Sequence, residues 1–126
     1  LHLVKPFGFE LTDARLKRAG LDYWQHITLK TYESLESFLA INKNENMVYL
    51  SAAAEKEYTE IEYTDNLFFV FGKESVGLSK QLLLDHTDKL FKIPIHSPYV
   101  RSLNLANAVS VVVFEGLRSL TAARGC

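Results

Sequence analysis

The sequence predicts an α/β domain built on a parallel β-sheet flanked by helices, and three observations carry that prediction. Short apolar or aromatic runs recur along the chain: "LHLV" (1–4), "MVYLSA" (47–52), "LFFVFG" (67–72) and "LFKIPI" (90–95). Segments of helical spacing separate them, and strand–helix alternation is the pattern of a parallel sheet. The chain has 126 residues, 48% of them apolar and 23% charged, which suits one globular domain with a real core.

The elements follow in order. "LHLV" is a strand that stops at Lys5-Pro6, because proline has no N–H for the ladder. Asp13 to Ala19 fits a short helix closed by Gly20. "HITLKTY" (26–32) alternates like a half-buried strand, and "ESLESFLAIN" (33–42) places Leu35, Phe38 and Leu39 at helical spacing. The runs at 47–52 and 67–72 read as buried strands. "SKQLLLDH" (79–86) is a short helix, "LFKIPI" a strand, and 103–120 the long closing helix. No repeat or low-complexity tract interrupts this order.

Bulk properties narrow the function classes. A net charge of −1 means that any nucleic acid must be held by a local basic patch. The single cysteine, Cys126, leaves no internal disulfide and no cysteine-rich metal site. The apolar runs fall short of a membrane span and no leader opens the chain, so a cytoplasmic protein without membrane contact is expected. The chain opens on Leu1 inside a strand, and its sole methionine is Met47. A further N-terminal piece is therefore expected upstream.

In a parallel α/β sheet, ligands sit beyond the carboxyl ends of the strands. Three loops leave such ends here: "SAAAEKEY" after Leu50, "GKESVGLS" after Phe71 and "HSPYVRSLN" after Ile95. They are expected to converge on one pocket. In the second loop Gly72 and Gly77 suit either a tight strand-to-helix turn or close approach of a ligand to the backbone. Glu74 lies inside that turn. Neither a phosphate-binding P-loop nor a GxGxxG fingerprint is present. His2, His26, His86 and His96 are scattered without ligand spacing, and no GxSxG elbow occurs. No metal is expected.

"ARLKRAGLDYW" (14–24) sets Arg15, Lys17 and Arg18 on a short helix ahead of Tyr23 and Trp24. It reads either as a phosphate-contacting patch or as a solvated helix face with core aromatics. On the closing helix, Asn104, Asn107, Glu115 and Arg118 fall within about a third of the circumference and the remainder is apolar. Such a helix is expected to be mostly buried, in the domain or across a subunit contact. Ser102 is a good N-cap. Arg101, Ser102 and Asn104 together at a helix start suit a polar or anionic ligand.

Taken together, "LVKPFGF…LKRAGLDYW", "FGKESVGLS" and "IPI…VRSLNLANAVSVVVFEGLR" resemble the SPOUT superfamily of RNA methyltransferases. Within it they are most similar to the small tRNA 2′-O-methyltransferases of the TrmL type. The resemblance spans nearly all of residues 1–120 in order. It implies one SPOUT methyltransferase domain over 1–126, an α/β trefoil knot whose first strand precedes Leu1, and S-adenosylmethionine as cofactor. By motif, Leu50, Gly72, Ile93, Ile95, Ser102 and Leu103 correspond to cofactor contacts. Glu74, Ser102 and Asn104 correspond to polar residues of the reaction site, and Arg15, Lys17, Arg18 and Arg101 to RNA contacts. The family's Asn-x-x-Arg motif would lie ahead of Leu1, and Phe114 stands where relatives often carry tyrosine.

The implied reaction is 2′-O-methylation of the ribose at the tRNA wobble nucleotide, leaving S-adenosylhomocysteine. The implied assembly is a homodimer formed partly through the 103–120 helix. Two alternatives stand beside it: methylation of another RNA, such as rRNA, or a non-catalytic RNA-binding or dimerisation module that lacks the first motif.

Overall fold

The structure, a computed structural model, describes residues 1–6 and 25–125. It comprises two compact units, Leu1–Asn44 and Glu45–Cys126. The expected helix at Asp13–Ala19 lies outside the described residues.

In the first unit β1 (His2–Val4) pairs in parallel with β2 (Lys30–Tyr32), His2 opposite Lys30 and Val4 opposite Tyr32. The second strand is shorter than the alternating run 26–32, because β1 offers it only three residues to pair with. The Lys5 N–H donates to the Tyr32 carbonyl at 2.9 Å, and the ladder ends at Pro6. Helix α1 (Leu35–Ile41) begins at Ser34, whose Oγ accepts from the Ser37 N–H at 3.1 Å. The Ser37 hydroxyl accepts in turn from the Ser34 N–H at 3.2 Å, completing a capping box. Phe38 then packs edge-on against the Tyr32 ring, 5.0 Å between centroids, and the His2 ring stacks on Tyr32.

The second unit holds a four-stranded sheet of order β4-β6-β3-β5, all parallel: β3 (Met47–Leu50), β4 (Lys56–Glu57), β5 (Phe68–Phe71) and β6 (Leu90–Lys92). Helices α2 (Lys80–Asp85) and α3 (Leu105–Ala123) complete it. Both faces of the central strand are covered. Val48 joins a cluster with Ile61, Phe91 and Val112 of α3. Its neighbour Tyr49, 2% exposed, stacks on His86 at the end of α2, with ring centroids 4.2 Å apart. Two covered faces are the reason β3 is apolar at every position.

Two strand expectations need correction. The strand "LFKIPI" stops at Lys92, because Pro94 cannot donate to a ladder. The loop after Leu50 hides an edge strand, β4, which polar composition disguised. Lys56 lays its ammonium 4.6 Å from the centre of the Phe91 ring and donates to the Asp88 carbonyl at 2.7 Å. A charged residue of this kind suits an edge strand, where it discourages further pairing.

The closing helix is covered by the domain on one side. Among the described residues its buried positions are Val112 and Gly116, so the domain accounts for one stripe of the expected burial. Phe114 is 68% exposed, and Val113 and Leu117 are exposed beside it. Against the expectation that no run reaches a membrane span, α3 is long and apolar enough for one by length and composition alone. Its packing is that of an amphipathic cover on the sheet, with Arg118 gripping the Glu115 carboxylate through two nitrogens at 2.9 and 2.7 Å.

Tyr63 fastens α3 to the sheet. A Cβ on Gly116 would come within 3.0 Å of its ring, which also meets Phe69 edge-on. Its hydroxyl donates to the Tyr58 carbonyl at 2.8 Å. Burial first, then the Glu115 charge and Tyr58, push the Tyr63 phenol from its usual 10 up to about 12 against the opposing pull of Arg118. A phenol raised on folding contributes stability that is complete below pH 10 and lost as pH rises through about 12. Alkaline melting series should therefore show a decline over that window that Tyr63→Phe lessens, with tyrosinate absorbance reporting the late titration. Equal decline in both proteins would remove Tyr63 as the cause.

Candidate functional site at the carboxyl edge of the sheet

The register of the sheet decides where its loops emerge. Leu50 is paired with Phe71 on one side and with Phe91 on the other. The three strands thus end side by side, and the Ser51 N–H, just past β3, still donates to the Phe91 carbonyl at 2.9 Å. The loops after β3, β5 and β6 leave from one edge, as expected of a ligand-binding α/β sheet. Leu50, Gly72 and Ile93 occupy that edge together. The opposite edge holds a shallow cavity of about 250 Å³, lined in part by Asn46, Leu67 and Lys89.

The second loop is shaped by two glycines. Gly72 follows β5, and a Cβ placed on it would fall 2.1 Å from the Gly77 carbonyl carbon and 2.4 Å from the Leu78 nitrogen. The loop folds back on this spot: the Gly77 N–H donates to the Lys73 carbonyl at 2.8 Å, and Gly77 itself has φ +68°. The turn is therefore tight, and its tip, Glu74 to Val76, is exposed. Ser79 then starts α2, its Oγ accepting from the Leu82 N–H at 3.3 Å.

The third loop has the opposite character. From Ile95 to Leu103, among the described residues, the main chain makes no backbone–backbone hydrogen bond. The Tyr99 N–H donates to Ser97 Oγ at 3.2 Å. A run of main-chain donors and acceptors left open beside a sheet edge is what a ligand held through backbone groups requires. Leu50, Ile93, Ile95 and Leu103 are half-buried and add apolar wall to it. These residues fit a nucleoside-bearing cofactor. Among the described residues no group of three or more His, Cys, Asp or Glu is placed to hold a metal ion.

The start of α3 corrects one assignment. Asn104, not Ser102, is the N-cap: its Oδ1 accepts from the N–H groups of Ala106 at 2.9 Å and Asn107 at 3.4 Å. Ser102 sits two residues too early for its short side chain to reach the first helical N–H groups. Ser102 and Arg101 are exposed on the approach to the helix. Arg15, Lys17 and Arg18 lie outside the described residues. Tyr99 went unnoticed in the sequence, where an aromatic inside a loop lacks the periodicity that marks a core residue; here it is 94% exposed.

The fold has close counterparts. A solved structure described as "Structural insights into the 2-OH methylation of C/U34 on tRNA" superposes with a TM-score of 0.87 at 40% identity, over 96% of this chain and 78% of that one. The SpoU methyltransferase AviRb from Streptomyces viridochromogenes, solved in complex with AdoMet, shares the fold at a TM-score of 0.79 and 17% identity, over 96% of this chain and 50% of that one. The architecture is that of a SPOUT-type methyltransferase. Among proteins of known name, the tRNA (cytidine(34)-2'-O)-methyltransferase of Saccharophagus degradans is 40% identical over 121 residues, 95% of this chain and 78% of that protein. The model of the SpoU rRNA methylase family matches residues 1–114, and the chain belongs to that family. The TrmL-type resemblance carried by the motifs is borne out.

Two contrasts test this geometry. Gly72→Ala must displace main chain, so it should cost about 3 kcal/mol or more and abolish the loop, as overpacking of a closed site does. Gly77→Ala meets open space and suffers only its positive φ, so about 1–2 kcal/mol is expected. Similarly, Asn104→Ala should lower stability by about 1 kcal/mol through loss of the cap while Ser102→Ala leaves it unchanged. Urea denaturation of the four variants reads both orders, and a reversed order in either pair would refute the corresponding assignment.

Proposed function

We propose that this chain is an S-adenosylmethionine-dependent RNA methyltransferase that methylates the ribose 2′-hydroxyl of the tRNA wobble nucleotide. The observation that carries this reading is the convergence of three motif-bearing loops on one sheet edge. The 40% identity to a tRNA (cytidine(34)-2'-O)-methyltransferase across nearly the whole chain supports it. The family model runs through both compact units, which supports a single methyltransferase domain over 1–126. The knotted path belongs to the same proposal, and so does a cytoplasmic location, where tRNA is modified.

In this reading the main chain around Leu50, Gly72, Ile93, Ile95 and Leu103, with Ser102, holds the cofactor. When bound, the sulfonium supplies an electrophilic methyl group. The protein's own task is then placement of the ribose hydroxyl in line and exclusion of water. Asn104 has Oδ1 committed to the helix cap, which leaves its Nδ2 to donate toward the ribose or an RNA oxygen. The Ser102 hydroxyl lies two residues before it and orients the same group. Glu74, at the exposed tip of the second loop, faces incoming substrate. Arg101 meets RNA phosphate, as do Arg15, Lys17 and Arg18. The apolar stripe Val113, Phe114 and Leu117 on α3 supports a second copy of the chain as its cover.

Calorimetric titration with S-adenosylhomocysteine should show binding, and methyl transfer to an anticodon stem-loop should disappear when the wobble ribose is 2′-deoxy. Undiminished transfer to the deoxy substrate would move the reaction to another position or another RNA. A folded protein that binds no S-adenosylhomocysteine would leave only a non-catalytic module.

A further inference from the structure

The third loop carries a side chain that neither the core nor the cofactor edge uses. Tyr99 is 94% exposed, the most exposed large apolar side chain among the described residues. It stands on the turn Pro98–Tyr99, tied by its own N–H to Ser97 Oγ at 3.2 Å. Val100, 47% exposed, and Arg101 follow directly, and Ser102 and Asn104 lie within five residues. An aromatic ring held out in water gains nothing for the fold. An exposed ring two residues ahead of an exposed arginine, on the loop that leads to the reaction site, matches the elements that hold single-stranded nucleic acid: a stacking face and a phosphate contact. The net charge of −1 supplies no general attraction for RNA, so local contacts of this kind must hold it.

We infer that Tyr99 is an RNA-binding residue on which an unpaired base flanking the target nucleotide stacks, while Arg101 takes the adjoining phosphate. The inference rests on the methyltransferase reading and deepens it, because it selects a substrate whose target ribose lies in an unstacked loop. Tyr99 is not assigned a part in methyl transfer. It fixes where the RNA strand runs, so its loss should appear in substrate affinity and leave the chemical step intact.

The test compares wild type with Tyr99→Ala, Tyr99→Leu and Tyr99→Trp, using an anticodon stem-loop that carries 2-aminopurine on either side of the target. Melting curves establish that each variant is folded, and S-adenosylhomocysteine titration establishes that the cofactor edge is intact. Stacking predicts that Tyr99→Ala and Tyr99→Leu raise KM for RNA on the order of tenfold, with kcat and S-adenosylhomocysteine affinity unchanged. Tyr99→Trp should keep wild-type KM, and one 2-aminopurine position should be quenched by wild type and by Tyr99→Trp only. An unchanged KM in Tyr99→Ala, or a rise matched by weakened S-adenosylhomocysteine binding, would overturn the stacking role. Tyr99→Leu behaving like wild type would reduce the contact to apolar cover and overturn it also. Failure of wild type to bind S-adenosylhomocysteine would instead bring down the methyltransferase reading.

Discussion

Everything at the candidate site depends on the way β3 pairs with both of its neighbours. Its parallel register with β5 and β6 sets Leu50 level with Phe71 and Phe91, so three loops distant in sequence leave the sheet together. That register is held by side chains as much as by the ladder. Val48 is locked into the cluster with Phe91 and Val112, and Tyr49 is clamped against His86 on the other face. A slip of one residue would exchange these two, placing a tyrosine in the space of a valine and exposing Val48 to the wrong helix. The packing therefore specifies the site before any functional side chain is considered.

From that base the second and third loops differ in character. The second is rigid because its backbone fills its own interior at Gly72. The third is open: among the described residues its main chain makes no backbone–backbone hydrogen bond from Ile95 to Leu103. One loop is closed on itself and the other keeps its main chain free of such bonds, and α3 anchors the far end of the open one through the Asn104 cap. Tyr63 and Gly116 hold that helix against the sheet.

Most of the fold was legible because burial leaves a mark on composition. β3 and β5 are continuous apolar runs and were readable as buried strands; α2 kept its serine cap and its spacing. β4 was not readable, since a two-residue edge strand made of Lys56 and Glu57 has no hydrophobic signature at all. At the candidate site the tight turn was legible at Gly72 and Gly77, the first of which follows directly on an apolar strand. The cap was misread at Ser102 because serine and asparagine cap equally well by type, and only backbone geometry separates them. The outer stripe of α3 was readable as apolar, with domain and subunit contact both open as its cover. Periodicity tells how many faces a helix hides without telling what hides them.

The shape of the second loop has an evolutionary consequence. Its contour is set by main-chain contact between Gly72 and the Gly77–Leu78 peptide, and the intervening tip is solvated. Selection can therefore rewrite Ser75 and Val76 almost without thermodynamic penalty, while Gly72 admits no side chain and Gly77 only against its positive φ. Sequence change at this tip is thus insulated from the folding of the domain.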